Sequence, residues 1–301
     1  MQSVLSTEQT LPYVVDFNPV FLNLGPIEIH WYGITYLLGF GLFYLLGRYR
    51  INKYPTGWNK QQLSDIIFYG ALGVVVGGRI GWVLFYNDTP ISSDPLLPLR
   101  VWEGGMSFHG GLVGVLLAMV YFKNKTNKTF YQVSDFVAPL TPLGIAAVRI
   151  GNFINGELWG RLTQQPWGMI FPKSLPYQQQ MDVVGETTWN QWYQQGQFNL
   201  YTRHPSPLYE AFLEGILTFV VVWLAAHFAR KRGTASAVFL ISYGLGRFLV
   251  EFFRQPDANR GFIAFDWMTM GHLLTLPILA YGLWILWSQR NSKTFNKNRP
   301  D

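Results

Sequence analysis

The chain has 301 residues, of which 49% are hydrophobic, 17% aromatic and only 13% charged, with a formal net charge of +6 and no cysteine. Soluble domains carry about 25% charged residues, so this composition excludes an ordinary soluble protein and reads as a membrane chain. The missing cysteines exclude a disulfide framework, a thiolate metal site and a cysteine nucleophile, so any thiol chemistry must use a thiol brought by a substrate.

The positive charge does not point to nucleic acid, because the basic residues sit between apolar runs rather than in one patch. The first lysine or arginine is Arg48, and residues 1–28 lack the basic start and apolar core of a cleavable signal, so the first apolar helix is expected to act as its own anchor.

In chain order, seven stretches are apolar enough, or nearly so, to span about 30 Å as helices. They cover roughly 29–47, 66–86, 105–122, 136–154, 208–229, 235–253 and 267–287. The third is the weakest and needs its Gly104 to Gly111 lead-in, which puts His109 near its outer end. Pro139 and Pro142 in the fourth and Pro277 in the seventh predict local kinks.

Basic residues follow the first, third, fifth and seventh spans: Arg48, Arg50, Lys53 and Lys60; Lys123, Lys125 and Lys128; Arg230, Lys231 and Arg232; and Arg290, Lys293, Lys297 and Arg299. All fall on one side, which the positive-inside rule makes cytoplasmic, leaving the N-terminus outside and the C-terminus inside. The predicted fold is an all-α integral membrane bundle of about seven transmembrane helices with one small extracytoplasmic insertion. Helices one to four occupy 1–154, a cap rich in Gln, Trp and Pro occupies 155–205, and helices five to seven with the tail occupy 206–301. No internal repeat marks an inverted-repeat transporter.

Polar residues inside these spans carry the chemistry. An arginine near the hydrocarbon costs about 2.5–3.5 kcal/mol, and three buried ones about 7–11 kcal/mol, so Arg79, Arg149 and Arg247 are not incidental. Tyr243, Arg247 and Glu251 recur every four residues and share a helix face, as do Arg149 and Asn152 three apart, while Asn155 and Glu157 continue past the predicted helix end. By the predicted topology His109, Arg149, Glu210 and Glu251 all lie toward the outer leaflet. The residue types suit an anionic lipid headgroup: guanidinium forks match phosphate oxygens, and an imidazole accepts a proton near neutral pH.

Arg79 is open between a structural interhelical ion pair and a substrate contact. Trp31, Tyr32 and Trp267 read as aromatic-belt residues, with Tyr32 also facing the proposed mouth. His30, His204, His227 and His272 are assigned only packing, capping or interface contacts.

The runs Val101 to Leu112, Arg149 to Arg161, His204-Pro205-Ser206 with Leu208-Tyr209-Glu210, and Tyr243 through Pro256 resemble the bacterial prolipoprotein diacylglyceryl transferases. The resemblance extends over essentially the whole chain. It departs at Val148, where the family commonly has glycine, and at Pro207, where a polar residue is more usual; the first bears on packing rather than chemistry.

The resemblance implies a seven-helix bacterial inner-membrane enzyme that moves the diacylglyceryl group of phosphatidylglycerol onto the lipobox cysteine of a preprolipoprotein. This is the first step of lipoprotein maturation; it forms a thioether and releases glycerol phosphate, with no cofactor and no metal. It casts His109 as the base and Arg149 and Arg247 as the phosphate-binding catalytic pair. Tyr32, Arg79, Asn152, Asn155, Glu157, Glu210, Tyr243 and Glu251 become substrate-binding or orienting residues. Two rival classes remain at this stage. A carrier or channel for an anionic solute would also bury arginines, and a lipid-binding scaffold would need neither His109 nor a cap.

Overall fold

The computed structural model describes residues 11–87, 93–256, 261–292 and 294. Lys293, Lys297 and Arg299 of the expected basic tail, residues 1–10 and the side chain of Glu103 lie outside the described residues. Helices dominate: α1 Trp31–Lys53, α2 Lys60–Phe85, α3 Phe108–Lys125, α4 Phe130–Val137, α5 Pro142–Ile154, α6 Met181–Val184, α7 Glu186–Gln194, α8 Ser206–Glu210, α9 Thr218–Phe228, α10 Thr234–Glu251 and α11 Met270–Ser288. A π-helical segment, Ala211–Leu217, joins α8 to α9. The all-α expectation needs one refinement, because among the described residues four short strands accompany the helices: β1 Tyr13–Val14, β2 Val20–Asn23, β3 Glu28–His30 and β4 Met169–Ile170. Strands β2 and β3 form an antiparallel hairpin, and β1 pairs parallel with β4.

Each predicted apolar stretch contains a helical run. By length and composition, α2, the continuous run Ser206–Phe228 and α11 can cross a membrane, and α4 with α5 makes a fourth if the two form one broken span. The break is a 3-10 turn at Ala138–Leu140, where Pro139 and Pro142 remove backbone donors from the helical ladder. Pro277 lies inside α11, which continues through it. Large apolar side chains are exposed along the helices, among them Leu37, Phe85, Leu117, Phe228 and Trp284. Apolar surface on that scale suits a hydrocarbon environment and not water.

Two compact units divide the chain. One comprises the chain up to Gly39, Pro142–Val220 and Leu240–Tyr281; the other comprises Phe40–Thr141, Val221–Phe239 and the chain from Gly282 on. The second unit is centred on Trp58, Leu63, Phe122, Val133, Phe136 and Leu140, with Trp58 stacked on Phe136 at 4.0 Å and on Phe122 at 5.2 Å. Within it α2 and α3 pack backbone to backbone. Gly73, Gly77 and Gly81 on α2 face Gly110 and Gly114 on α3, and a Cβ on Gly81 would lie 2.8 Å from the Gly110 Cα. Small residues spaced by four are what membrane helices use to approach closely, since lipid offers no hydrophobic drive for their association.

In the first unit, residues 155–205 have a core of their own: Ile170, Leu175, Trp189 and Phe198 are buried, with Trp192, Tyr193 and Val14 packed around them. The N-terminal segment is part of this body, because β1 pairs with β4 and the Tyr193 hydroxyl donates to the Pro12 carbonyl at 2.9 Å.

Candidate active site

The end of α5 is shaped by its sequence. Gly156 adopts φ +60°, where a side chain is strained, and the helix closes with Gly156 N–H on the Phe153 carbonyl at 3.0 Å and Glu157 N–H on the Asn152 carbonyl at 3.1 Å. These two bonds make a Schellman cap, which turns the chain back over the last helical turn. Glu157 is thereby returned to α5, where its Oε1 accepts from Asn152 Nδ2 at 2.8 Å and from Asn155 Nδ2 at 3.5 Å. The spacing of Asn152, Asn155, Gly156 and Glu157 is thus one folded turn. Gly151 lies against Thr35 of α1, whose side chain a Cβ would strike. Lys173 of the insertion donates to the Asn155 carbonyl at 2.8 Å.

Arg149, one turn earlier on α5, points at two glutamates. Its Nε is 3.2 Å from Glu210 Oε2 and its Nη2 donates to Glu214 Oε2 at 3.1 Å. Arg247 on α10 takes the opposite oxygens of the same two carboxylates, Glu210 Oε1 at 3.0 Å and Glu214 Oε1 at 3.7 Å, and reaches Glu251 Oε2 at 2.7 Å. Arg254 completes the cluster, with Nη1 at 2.9 Å from Glu210 Oε1. Three arginines meet three glutamates, so formal charge cancels. Removing one partner from a buried pair costs about 3–5 kcal/mol, which makes the set interdependent.

The π segment places the second carboxylate. Gly215 packs on α5 so closely that a Cβ would sit 2.5 Å from that of Ala146, and Gly246 on α10 has the Leu213 carbonyl 3.1 Å from its Cβ position. Thr218 donates to the Leu213 carbonyl at 2.9 Å, five residues back, which satisfies a group that the widened turn leaves over. With both neighbouring backbones this near, Glu214 lies between Arg149 and Arg247.

Exposure distinguishes the two charge types. Glu210 and Glu214 side chains are 0% exposed, whereas Arg149 is 20% and Arg247 18% exposed. The carboxylates are thus withdrawn from the surface that the arginine side chains still reach. Tyr243, one turn before Arg247, is within electrostatic range of Arg149, Arg247, Glu210 and Glu214. Tyr32 hydrogen-bonds the Tyr36 hydroxyl at 3.1 Å and feels Glu157 and Arg149.

Of the residues singled out from sequence, Tyr32, Arg149, Asn152, Asn155, Glu157, Glu210, Tyr243, Arg247 and Glu251 belong to the first unit, and His109 and Arg79 to the second. Glu157 was expected among the groups orienting cations or headgroup hydroxyls; its carboxylate holds the two asparagines. Glu251 holds Arg247, as the four-residue spacing implies. In the second unit, His109 is an exposed residue in the first turn of α3, which Ser107 caps by accepting from Gly110 N–H at 3.2 Å. Arg79, 1% exposed, lies over the Trp82 ring and donates to the carbonyls of Gly104, Gly105 and Leu97, the last at 2.7 Å. Gly104 and Gly105 have φ +79° and +74°, so this carbonyl-presenting turn before His109 depends on glycine.

Two residues of the cluster were missed. Glu214 follows Glu210 by four in an otherwise apolar run, the same spacing that flagged Arg247 and Glu251, and Arg254 lies just past the end of α10.

Outside the cluster, His204 stacks edge-on to Phe253 at 5.1 Å and shares a 3.2 Å hydrogen bond with the Tyr209 hydroxyl; burial lowers its imidazole below the ordinary histidine value. Arg161 donates to the carbonyls of Arg254 at 3.0 Å and Glu251 at 3.4 Å, a cation closing the C-terminal end of α10.

The family model described as prolipoprotein diacylglyceryl transferase matches residues 19–288. A Legionella pneumophila (strain Lens) protein named phosphatidylglycerol-prolipoprotein diacylglyceryl transferase is 48% identical over 275 residues, covering 91% of this chain and 98% of its own. Proteins of the same name from Coxiella burnetii (strain RSA 331) and Solidesulfovibrio magneticus are 47% and 48% identical, covering 91% and 90% of this chain and 96% and 94% of their own. With the match running from the β2 strand to the end of α11 and spanning every residue of the arginine-glutamate cluster, this chain belongs to the prolipoprotein diacylglyceryl transferase family.

Proposed function

We propose that the chain transfers the diacylglyceryl group of phosphatidylglycerol to the lipobox cysteine thiol of a preprolipoprotein, and that Arg149 and Arg247 are the phosphate-binding pair. The observation that carries this reading is the crossed cluster, in which fully buried Glu210 and Glu214 pair with two arginine side chains that stay partly exposed.

In this reading the substrate thiol loses its proton to His109. The thiolate sulfur then attacks the glycerol carbon that bears the phosphate ester. A carbon–sulfur bond forms, the carbon–oxygen bond breaks, and the electron pair leaves on glycerol phosphate. Charge grows on the departing phosphate, where preorganised cations lower the barrier because their orientation has been settled before the reaction. Asn152, Asn155, Glu157 and Tyr32 contact the headgroup region with Tyr243. Arg79 has a supporting part: its bonds to the Gly104 and Gly105 carbonyls steady the turn that leads to His109.

The same reading makes the chain a seven-pass protein of the bacterial inner membrane, with the N-terminus outside, residues 155–205 as an extracytoplasmic cap and the C-terminus cytoplasmic. A reporter fused within 174–195 would then be outside and one after Lys231 cytoplasmic. The reaction itself is tested by incubating the purified protein with headgroup-labelled phosphatidylglycerol and a lipobox peptide. Labelled glycerol phosphate should appear together with a diacylglyceryl peptide. Label release that does not depend on the peptide thiol would contradict transfer.

A further inference from the structure

Beyond the arginine-glutamate cluster, a second layer of polar contacts reaches the site from α11. Glu251, the last residue of α10, is 4% exposed and uses its two oxygens differently. Oε2 pairs with Arg247 Nη2 at 2.7 Å, and Oε1 accepts the Thr269 hydroxyl at 2.6 Å. Thr269 is 3% exposed and stands immediately before α11.

The first turn of α11 fixes the direction of that hydroxyl. His272 Nδ1 lies 3.2 Å from the Thr269 N–H and accepts from it, while the His272 N–H lies 3.4 Å from the Thr269 hydroxyl oxygen. This is a capping box with histidine in the place of glutamate or glutamine. The hydroxyl oxygen also lies 3.1 Å from His272 Nδ1, but that nitrogen already accepts the Thr269 N–H, so the single hydroxyl proton goes to the nearer, charged Glu251 Oε1 while the oxygen receives the His272 N–H. His272 is itself 0% exposed and held edge-on by Phe248 at 4.8 Å, Phe252 at 4.6 Å and Trp267 at 5.2 Å. Gly271 completes the fit, because a Cβ there would overlap the Glu251 carboxylate.

We propose that Thr269 is a positioning residue for the transfer reaction, holding the Glu251 carboxylate so that Arg247 presents its guanidinium in one orientation. The inference rests on the reading of Arg247 as a phosphate-binding group. It assigns to the Met-Thr-Met-Gly-His segment, Met268 to His272, a part that no feature of its composition announces. Thr269 acts on substrate only through Glu251 and Arg247.

The test is a variant series assayed for transfer per inserted protein, with thermal midpoints followed in parallel. Thr269→Val keeps the shape and removes the hydroxyl; kcat should fall about tenfold, the size of effect expected when a charge-assisted hydrogen bond is lost. The KM for the lipobox peptide should stay unchanged, and Thr269→Ser should restore kcat to within about twofold, since it keeps the bond. A residue that merely capped α11 would lower the thermal midpoint and leave kcat alone.

In a Glu251→Gln background, itself slowed, Thr269→Val should cost no more than about twofold further, because the charge it orients is gone. Parent-like kcat in Thr269→Val, or an undiminished penalty in the Glu251→Gln background, overturns the inference. If Thr269→Val does not insert, Thr269→Ala carries the same expectation. Parent-like transfer in both Glu251→Gln and Arg247→Ala would instead remove the functional reading beneath it, so the two failures are separable.

Discussion

Glu214 Oε2 lies 3.1 Å from Arg149 Nη2, with the carboxylate 0% and the guanidinium side chain 20% exposed. The same carboxylate turns its other oxygen toward Arg247 at 3.7 Å, so one buried anion ties two cations that would otherwise repel each other. Glu214→Gln keeps the shape and removes the charge. The variant should still insert, its thermal midpoint in detergent should fall, and its kcat/KM for lipid should drop by about tenfold to a hundredfold as Arg149 loses its alignment. Parent-like kinetics would show that Glu210 alone aligns the pair.

Arg149→Lys preserves positive charge and loses the planar fork that spans Glu210 and Glu214 and that, in the proposed reaction, also takes the phosphate. Lysine is a point charge and cannot replace a bidentate donor. Transfer should be mostly lost even at saturating lipid, measured as kcat. Near-normal kcat would reduce Arg149 to a generic cation.

His109→Gln keeps hydrogen-bonding capacity but cannot accept the thiol proton near pH 7. Its defect should shrink as pH rises toward about 8.5, where the substrate thiol ionises unaided, and Arg149→Lys should show no such recovery. A pH profile parallel to the parent's would remove the general-base role and leave His109 in binding or packing.

The glycine stripe of α2 and α3 makes a separate prediction about stability. Gly114 faces the Gly73 backbone, so Gly114→Val must push the two helices apart and should destabilise by at least about 1–3 kcal/mol. Gly70→Ala on α2 has nothing within 4 Å of its Cβ position and should be neutral or stabilising by up to about 1 kcal/mol. Thermal midpoints of the two variants check the contrast.

Much of this site was legible because helical spacing is a geometric fact. Arg247 and Glu251, four apart, are the pair their spacing implies, and the Arg149 segment ends in the turn that Gly156 permits. What periodicity could not supply came from tertiary packing. The π segment exists where Gly215 and Gly246 bring α5 and α10 against it, a three-way approach that no local pattern in Ala211–Leu217 encodes. Glu214 was overlooked although its spacing from Glu210 was visible, because an α-helical reading of an apolar span gave it no partner. Thr269 and His272 were less legible still, since their meaning depends on a carboxylate 18 residues away in sequence. Gly73, Gly77 and Gly81 of α2 stand at intervals of four in the sequence, and their facing partners on α3 became evident only in the folded pair.

In the proposed reaction the Arg247 guanidinium, held by Glu210, Glu214 and Glu251, binds the lipid phosphate and supports its departure. Arg247→Ala tests it most directly, by measuring transfer from labelled phosphatidylglycerol to a lipobox peptide with the amount of inserted protein matched to the parent. Transfer should be abolished while the protein remains in the membrane. Full transfer by Arg247→Ala would contradict it and leave Arg247 as a structural counter-ion for the buried glutamates.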